Sequence, residues 1–218
     1  MKLLVNGDSY LANKINQDFA TRLNCSELVN LALPGNSNRA IIRTTVNYLE
    51  SNPVEFVLIG LTFLDRFELS VDGSNWITCG VQGVINQTSL ANIDIEQLNQ
   101  HIRERYKFDY QYLTSVEQLF CDIIMLSGYL TSRNIKFCIF NWVHNFKDFN
   151  FPLKQSVNNI KNIVSLDEFS ANQFLHDNGV APVAPDKDLP AVIRHHQHEY
   201  YYLLENYLYD YCVRNQLI

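Results

Sequence analysis

Short, uninterrupted apolar blocks alternate along this chain with helix-spaced ones, and polar turns separate them. Lys2-Leu3-Leu4-Val5-Asn6 is stopped by Gly7-Asp8-Ser9, the pattern of a buried strand running into a turn. From Tyr10 to Leu23 the positions Leu11, Ile15, Phe19 and Leu23 fall at helical spacing. Leu28 to Leu33 is a second block, closed by Pro34-Gly35. Asn36-Ser37-Asn38 then offers N-cap chemistry to a helix whose buried face is Ile41, Ile42, Val46 and Leu49. Val54 to Leu61 is a third block, continuous as a strand covered on both faces must be.

From about residue 70 to 114 periodicity is weak, and Gly, Asn and Asp are scattered. That length exceeds an ordinary connection and predicts a long insertion or lid. Val116 to Leu130 reads as a strong amphipathic helix, Ile135 to Trp142 as a fourth strand, and Leu166 to Leu175 as a short helix. A loop carrying Pro182, Pro185 and Pro190 leads into a last helix ending near Val213, with Tyr200, Leu203, Leu204, Tyr207, Leu208 and Tyr211 on one face. No internal repeat is evident, so residues 1–218 are read as one domain. Strands alternating with helices predict an α/β fold whose parallel sheet is covered on both faces. Ligands in such folds bind beyond the carboxyl ends of the strands. The positions of interest are therefore Gly7-Asp8-Ser9, Pro34-Gly35-Asn36, the residues after Gly60, and the loop before the last helix.

The chain has 218 residues, 47% apolar and 18% charged. That supports a filled core and excludes a disordered chain or a coiled coil. No apolar run approaches the roughly 18 residues of a membrane span, and Leu3-Leu4-Val5 is too short for a signal-peptide core. The expectation is a soluble, cytoplasmic protein without a membrane partner. With 17 basic against 23 acidic side chains the net charge is −6, which argues against a nucleic-acid surface. The five cysteines are scattered and never form CxxC, so neither a disulfide framework nor a zinc knuckle is expected. Six of the twelve tyrosines lie between Tyr200 and Tyr211, which leaves a homo-oligomer contact there open.

Ser9 stands where a strand ends and a helix begins. Its N–H belongs to the first turn of a helix, where donors have no intrahelical acceptor, beside the positive end of the dipole. A serine so placed can attack a carbonyl and offer its own N–H to the oxyanion. By position alone it is equally an N-cap. Asn30-x-Ala32-x-x-Gly35 follows the second strand, and Gly35 can present its N–H with no side chain in the way.

With Gly7-Asp8-Ser9, these residues resemble the first two blocks of the SGNH/GDSL hydrolase superfamily. The resemblance implies a flavodoxin-like, three-layer α/β/α fold over nearly the whole chain. It implies ester or acyl hydrolysis without a cofactor or a metal, Ser9 as nucleophile, and the Ser9 and Gly35 N–H groups in the oxyanion hole. The third block usually reads Gly-x-Asn-Asp; here Gly60-Leu61-Thr62-Phe63 puts Thr62 in the asparagine's place, with Asn36 and Arg66 as other candidates for that donor. Arg66 and Glu68 are expected to form a structural ion pair under the sheet edge. The Thr62-x-x-x-Arg66-x-Glu68 string resembles phage-encoded and marine-microbial members, for which a virion location is an alternative.

The fourth block usually brings Asp-x-x-His or Asp-x-His-Pro just before the last helix, and neither spacing occurs here. His196, four residues before Tyr200 on the inward stripe, is the first choice of base and His195 the second; Asp188 or Asp186 would orient it. His195, His196 and His198 have no second ligand cluster to complete a metal site. The expected activity is an esterase or deacetylase on a small acyl ester, with an acetylated glycan as one substrate. The competing reading is a catalytically weak relative that keeps the fold as a binding or structural module.

Overall fold

A computed structural model describes residues 1–12, 17–70, 76–80, 83–86, 94–109, 112–143, 146–150, 152–181 and 201–218. Its centre is a parallel sheet of β1 (Lys2–Asn6), β2 (Glu27–Asn30), β3 (Phe56–Leu61) and β7 (Lys136–Asn141), in the order β2-β1-β3-β7. Counting these four strands alone, the order is 2-1-3-4, as in flavodoxin-like sheets. Leu3 pairs with Leu28 on one side and with Phe56 on the other, and Leu58 pairs with Cys138.

The strand period of two divides the core cleanly. Leu3, Val5, Phe56, Leu58, Cys138 and Phe140 pack against α1 (Gln17–Arg22), α6 (Ala171–Asp177) and α7 (Tyr201–Arg214). Leu4, Val57, Ile59, Phe137 and Ile139 pack against α2 (Asn38–Ser51), α4 (Tyr112–Ser132) and α5 (Pro152–Asn158). This is the expected α/β fold with both faces covered. Of the stripe expected on the last helix, Leu204 and Leu208 are fully buried and Tyr207 stacks on Phe169 with ring centroids 4.6 Å apart, while Tyr200 lies outside the described residues.

Local chemistry explains the element ends. Ser37 caps α2 by accepting the Ala40 N–H at 3.1 Å, an interaction worth ~1 kcal/mol. Ser170 caps α6 in the same way through Gln173. Of the helix expected over Tyr10–Leu23, α1 is described; before it, Asp8 O accepts from Leu11 and Ala12, and residues 13–16 lie outside the described set. The helix expected at Leu166–Leu175 begins only at Ala171, because Ser170 supplies the cap.

The segment expected as a lid carries regular structure. Strands β4 (Phe67–Ser70), β5 (Trp76–Gly80) and β6 (Gly83–Asn86) form an antiparallel sheet, followed by α3 (Ile95–Asp109). Four- or five-residue strands are too short for alternation to stand out in sequence. A small core of Ile77, Cys79 and Ile102 holds them. Arg43 of α2 fastens this unit to the main body. It donates to both carboxylate oxygens of Glu68, at 2.6 and 3.2 Å, and lies over the Trp76 ring. Among the described residues, no helix is long and apolar enough to cross a membrane.

Candidate active site

Three turns meet at the carboxyl ends of β1, β2 and β3, and buried amides bind them together. Asn6, wholly buried at the end of β1, donates to Ile41 O, Thr44 Oγ1 and Thr45 Oγ1 of α2, each at 2.9 Å. Its own Oδ1 accepts the Gly7 N–H. Asn36 Nδ2 donates to Gly7 O at 3.0 Å, joining the first turn to the second. Asn38 joins the second to the third, giving Nδ2 to Thr62 O and receiving the Thr62 N–H at 2.7 Å. Gly35 adopts φ +82°, a left-handed conformation that costs other residues roughly 1–2 kcal/mol.

Asp8 sits at the middle of this knot, with no exposed surface. Its Oδ1 accepts the Tyr10 N–H, while Oδ2 accepts from the Thr62 hydroxyl and from Arg66 Nη1 at 3.0 Å. The same Nη1 reaches Asn36 O at 3.2 Å and Thr62 Oγ1 at 3.1 Å, so one guanidinium nitrogen spans all three turns. The Arg66 guanidinium also lies over the Phe63 ring, 4.5 Å from its centroid. Burial pushes the Asp8 carboxyl above its ordinary value, against the pull of Thr62, the Tyr10 N–H and Arg66. The expected Arg66–Glu68 pair does not form. Arg66 turns inward to the buried Asp8, and Glu68 is held by Arg43.

Ser9, half-buried, follows Asp8 directly. Behind it the Tyr10 ring stacks on Trp142 at 5.0 Å, and Trp142 meets Tyr201 at 5.7 Å. Burial pushes the Tyr10 hydroxyl up to about 12 and raises Tyr201 as well. Trp142 Nε1 is buried without a hydrogen-bond partner among the described residues.

Of the expected site residues, Ser9, Gly35 and Thr62 lie together at this strand edge. The Thr62 hydroxyl, expected as an oxyanion donor, donates to the buried Asp8 carboxylate. Asp186, Asp188, His195, His196 and His198 lie outside the described residues. Of the others, His101 and His176 are exposed, on α3 and α6. No group of three or more metal-ligating side chains occurs among the described residues. Asn6, Asn38 and the Asp8–Arg66 pair were not evident from sequence reasoning. An asparagine closing an apolar strand, and another beside an N-cap, are the only signals that pointed there.

No family profile matches the sequence, and no curated protein matches it. Solved structures similar to the chain include TesA, at 14% identity, covering all of both chains with a TM-score of 0.47. Esterase EstA from Pseudoalteromonas sp. is 13% identical over 98% of this chain and 97% of its own, with a TM-score of 0.48. A member of the lipolytic G-D-S-L family from Veillonella parvula is 10% identical over 98% and 97%, with a TM-score of 0.46.

Proposed function

We propose that this protein is a serine esterase acting on a small acyl ester. One observation carries the reading: the turns bearing Ser9, Gly35 and Thr62 are bonded through Asn36, Asn38 and Arg66 into a single rigid edge beyond the strands. Catalysis needs such preorganisation, because donors aimed at developing charge act only if already held in place. Ser9 Oγ attacks the ester carbonyl carbon while His196, with His195 as second choice, takes its proton. The tetrahedral oxyanion is held by the Ser9 and Gly35 N–H groups. It collapses to an acyl-serine as the alcohol leaves with the proton from histidine. Water, deprotonated by the same histidine, then releases the acid and restores Ser9. Asp188 or Asp186 orients the histidine. Thr62 and Arg66 hold Asp8, and thereby the Ser9 turn, as positioning residues.

With the Thr62 hydroxyl engaged by Asp8, two backbone donors serve the oxyanion, and a missing third donor typically costs ~10²–10³-fold in rate. That same engagement favours the second reading, a binding module of low activity. A fluorophosphonate probe separates them. Wild type should be labelled and Ser9→Ala should not, with unchanged thermal stability. Labelling that survives the substitution, or an unlabelled wild type, defeats the esterase assignment.

A further inference from the structure

Between the start of α2, the chain from Leu64 to Leu69, and the facing helices α3 and α4 lies a cleft of about 380 Å³. That is at the small end of the roughly 300–1,000 Å³ of ligand sites. Most charges on its wall are neutralised by a partner. Arg66 gives Nη1 to the buried Asp8 at 3.0 Å, and Arg43 holds both oxygens of Glu68. Asp122 receives Arg39 Nε at 3.4 Å on one oxygen and Gln118 Nε2 at 2.9 Å on the other. Asp65 is the exception. It is half-buried on the cleft wall, and among the described residues its carboxylate has neither a hydrogen bond nor an ion pair.

With the other charges paired, the cleft keeps one negative charge, on Asp65, and low-dielectric walls focus the field of such a charge into the space they enclose. An anion is repelled there, and a neutral molecule leaves the charge unbalanced. A monovalent cation balances it without breaking an existing pair. The rest of the wall sets what that cation carries. Leu64, Phe67, Tyr106 and Leu119 line the same space, with the Phe67 and Tyr106 ring centroids 6.5 Å apart. Aromatic rings offer both apolar area and a face that attracts positive charge. A bare divalent ion fits poorly, because it takes six or more oxygen ligands and no group of three metal-ligating side chains occurs among the described residues.

We infer that this cleft binds an amphipathic organic cation, a protonated primary amine on a small apolar body. The ammonium group pairs with Asp65, and the body lies among Leu64, Phe67, Tyr106 and Leu119. Nothing in this rests on the esterase reading. The full chain is titrated with phenethylamine, and with phenethyl alcohol and phenylpropionate as neutral and anionic counterparts of similar size, followed by ¹H–¹⁵N NMR. The amine should bind at least tenfold more tightly than either counterpart, with shifts concentrated at residues 38–39, 64–69 and 115–122. Its affinity should fall as salt is raised, and ammonium chloride at equal concentration should not displace it. Asp65→Asn keeps the side-chain size and breaks no pair, so it should erase the preference for the amine while leaving the alcohol unaffected. Tyr106→Ala should weaken the amine and the alcohol alike. No binding by the amine, equal binding of the three probes, or shifts located elsewhere overturns the assignment. So does a preference that survives Asp65→Asn, or displacement by ammonium chloride. The three-probe comparison is made on wild type, so it decides the matter even if a variant fails to fold.

Discussion

Replacing Arg66 by methionine removes the charge but keeps an unbranched stem against Phe63. The lost contacts are those of Nη1 with Asp8 at 3.0 Å, Thr62 at 3.1 Å and Asn36 O at 3.2 Å. Asp8 has no exposed surface, and the Arg66 side chain is 15% exposed. Removing one partner of a buried pair costs about 3–5 kcal/mol, because the other charge is left uncompensated. Asp8 keeps the Thr62 hydroxyl and the Tyr10 N–H, so a loss near the lower end, about 3 kcal/mol, is expected at pH 8. Burial already raises the Asp8 pKa, and loss of the guanidinium raises it further. A carboxyl raised in the folded state binds extra proton there, so stability falls as pH rises from its unfolded value to its folded one. The variant should therefore stand closest to wild type near pH 5. Its deficit should then widen with pH by at most about 1.4 kcal/mol per unit, until Asp8 is fully ionised. Urea denaturation at pH 5 and pH 8 measures both quantities. Adding Asp8→Asn should return part of the loss and flatten its pH dependence. A loss below about 1 kcal/mol at pH 8, or equal losses at the two pH values, refutes this account of the pair.

Gly35→Ala should lower ester hydrolysis more than tenfold and stability by roughly 1–2 kcal/mol from its positive φ; kinetics and thermal melts on one sample decide whether activity suffers more. His196→Ala should lose most hydrolysis of a short-chain aryl ester, His195→Ala less, and His198→Ala little, as steady-state rates will rank; three variants equal to wild type place the base elsewhere. Gly60→Ala would bring a Cβ within 2.6 Å of Trp142 Nε1 and 2.7 Å of Leu11 Cδ1. A loss of ~1–3 kcal/mol in denaturant melts is expected, with quenching or shift of Trp142 fluorescence.

The central sheet was legible because β1, β3 and β7 are buried on both faces, which writes them as unbroken apolar runs. The start of α2 was legible because Ser37 bonds within its own turn. Polar partners across space were not. Asp8 and Arg66 are 58 residues apart and Arg43 and Glu68 are 25 apart, and nothing local distinguishes the true partner of Arg66 from the nearby Glu68. The Thr62 hydroxyl illustrates the same limit. Its place after β3 follows from the apolar run before it, while its acceptor depends on how the first turn folds back. The small sheet of β4–β6 escaped notice because its strands end before a period can declare itself.

The outer flank of β7 has a consequence for how this protein meets its own copies. Ile163 lies beside Ile139 in a single parallel bridge: Ile139 N–H donates to Asn162 O, and Val164 N–H to Ile139 O. Both backbone groups of Ile163 itself are engaged, its N–H by Ile160 O and its carbonyl by the Tyr211 hydroxyl at 2.6 Å. An edge whose donors and acceptors are consumed locally gives no template for a strand from another molecule. The last helix thus acts, through one phenol, as a stopper on sheet growth. Tyr211→Phe would keep the ring and uncork that edge, turning a packing residue into a determinant of whether unfolding intermediates aggregate.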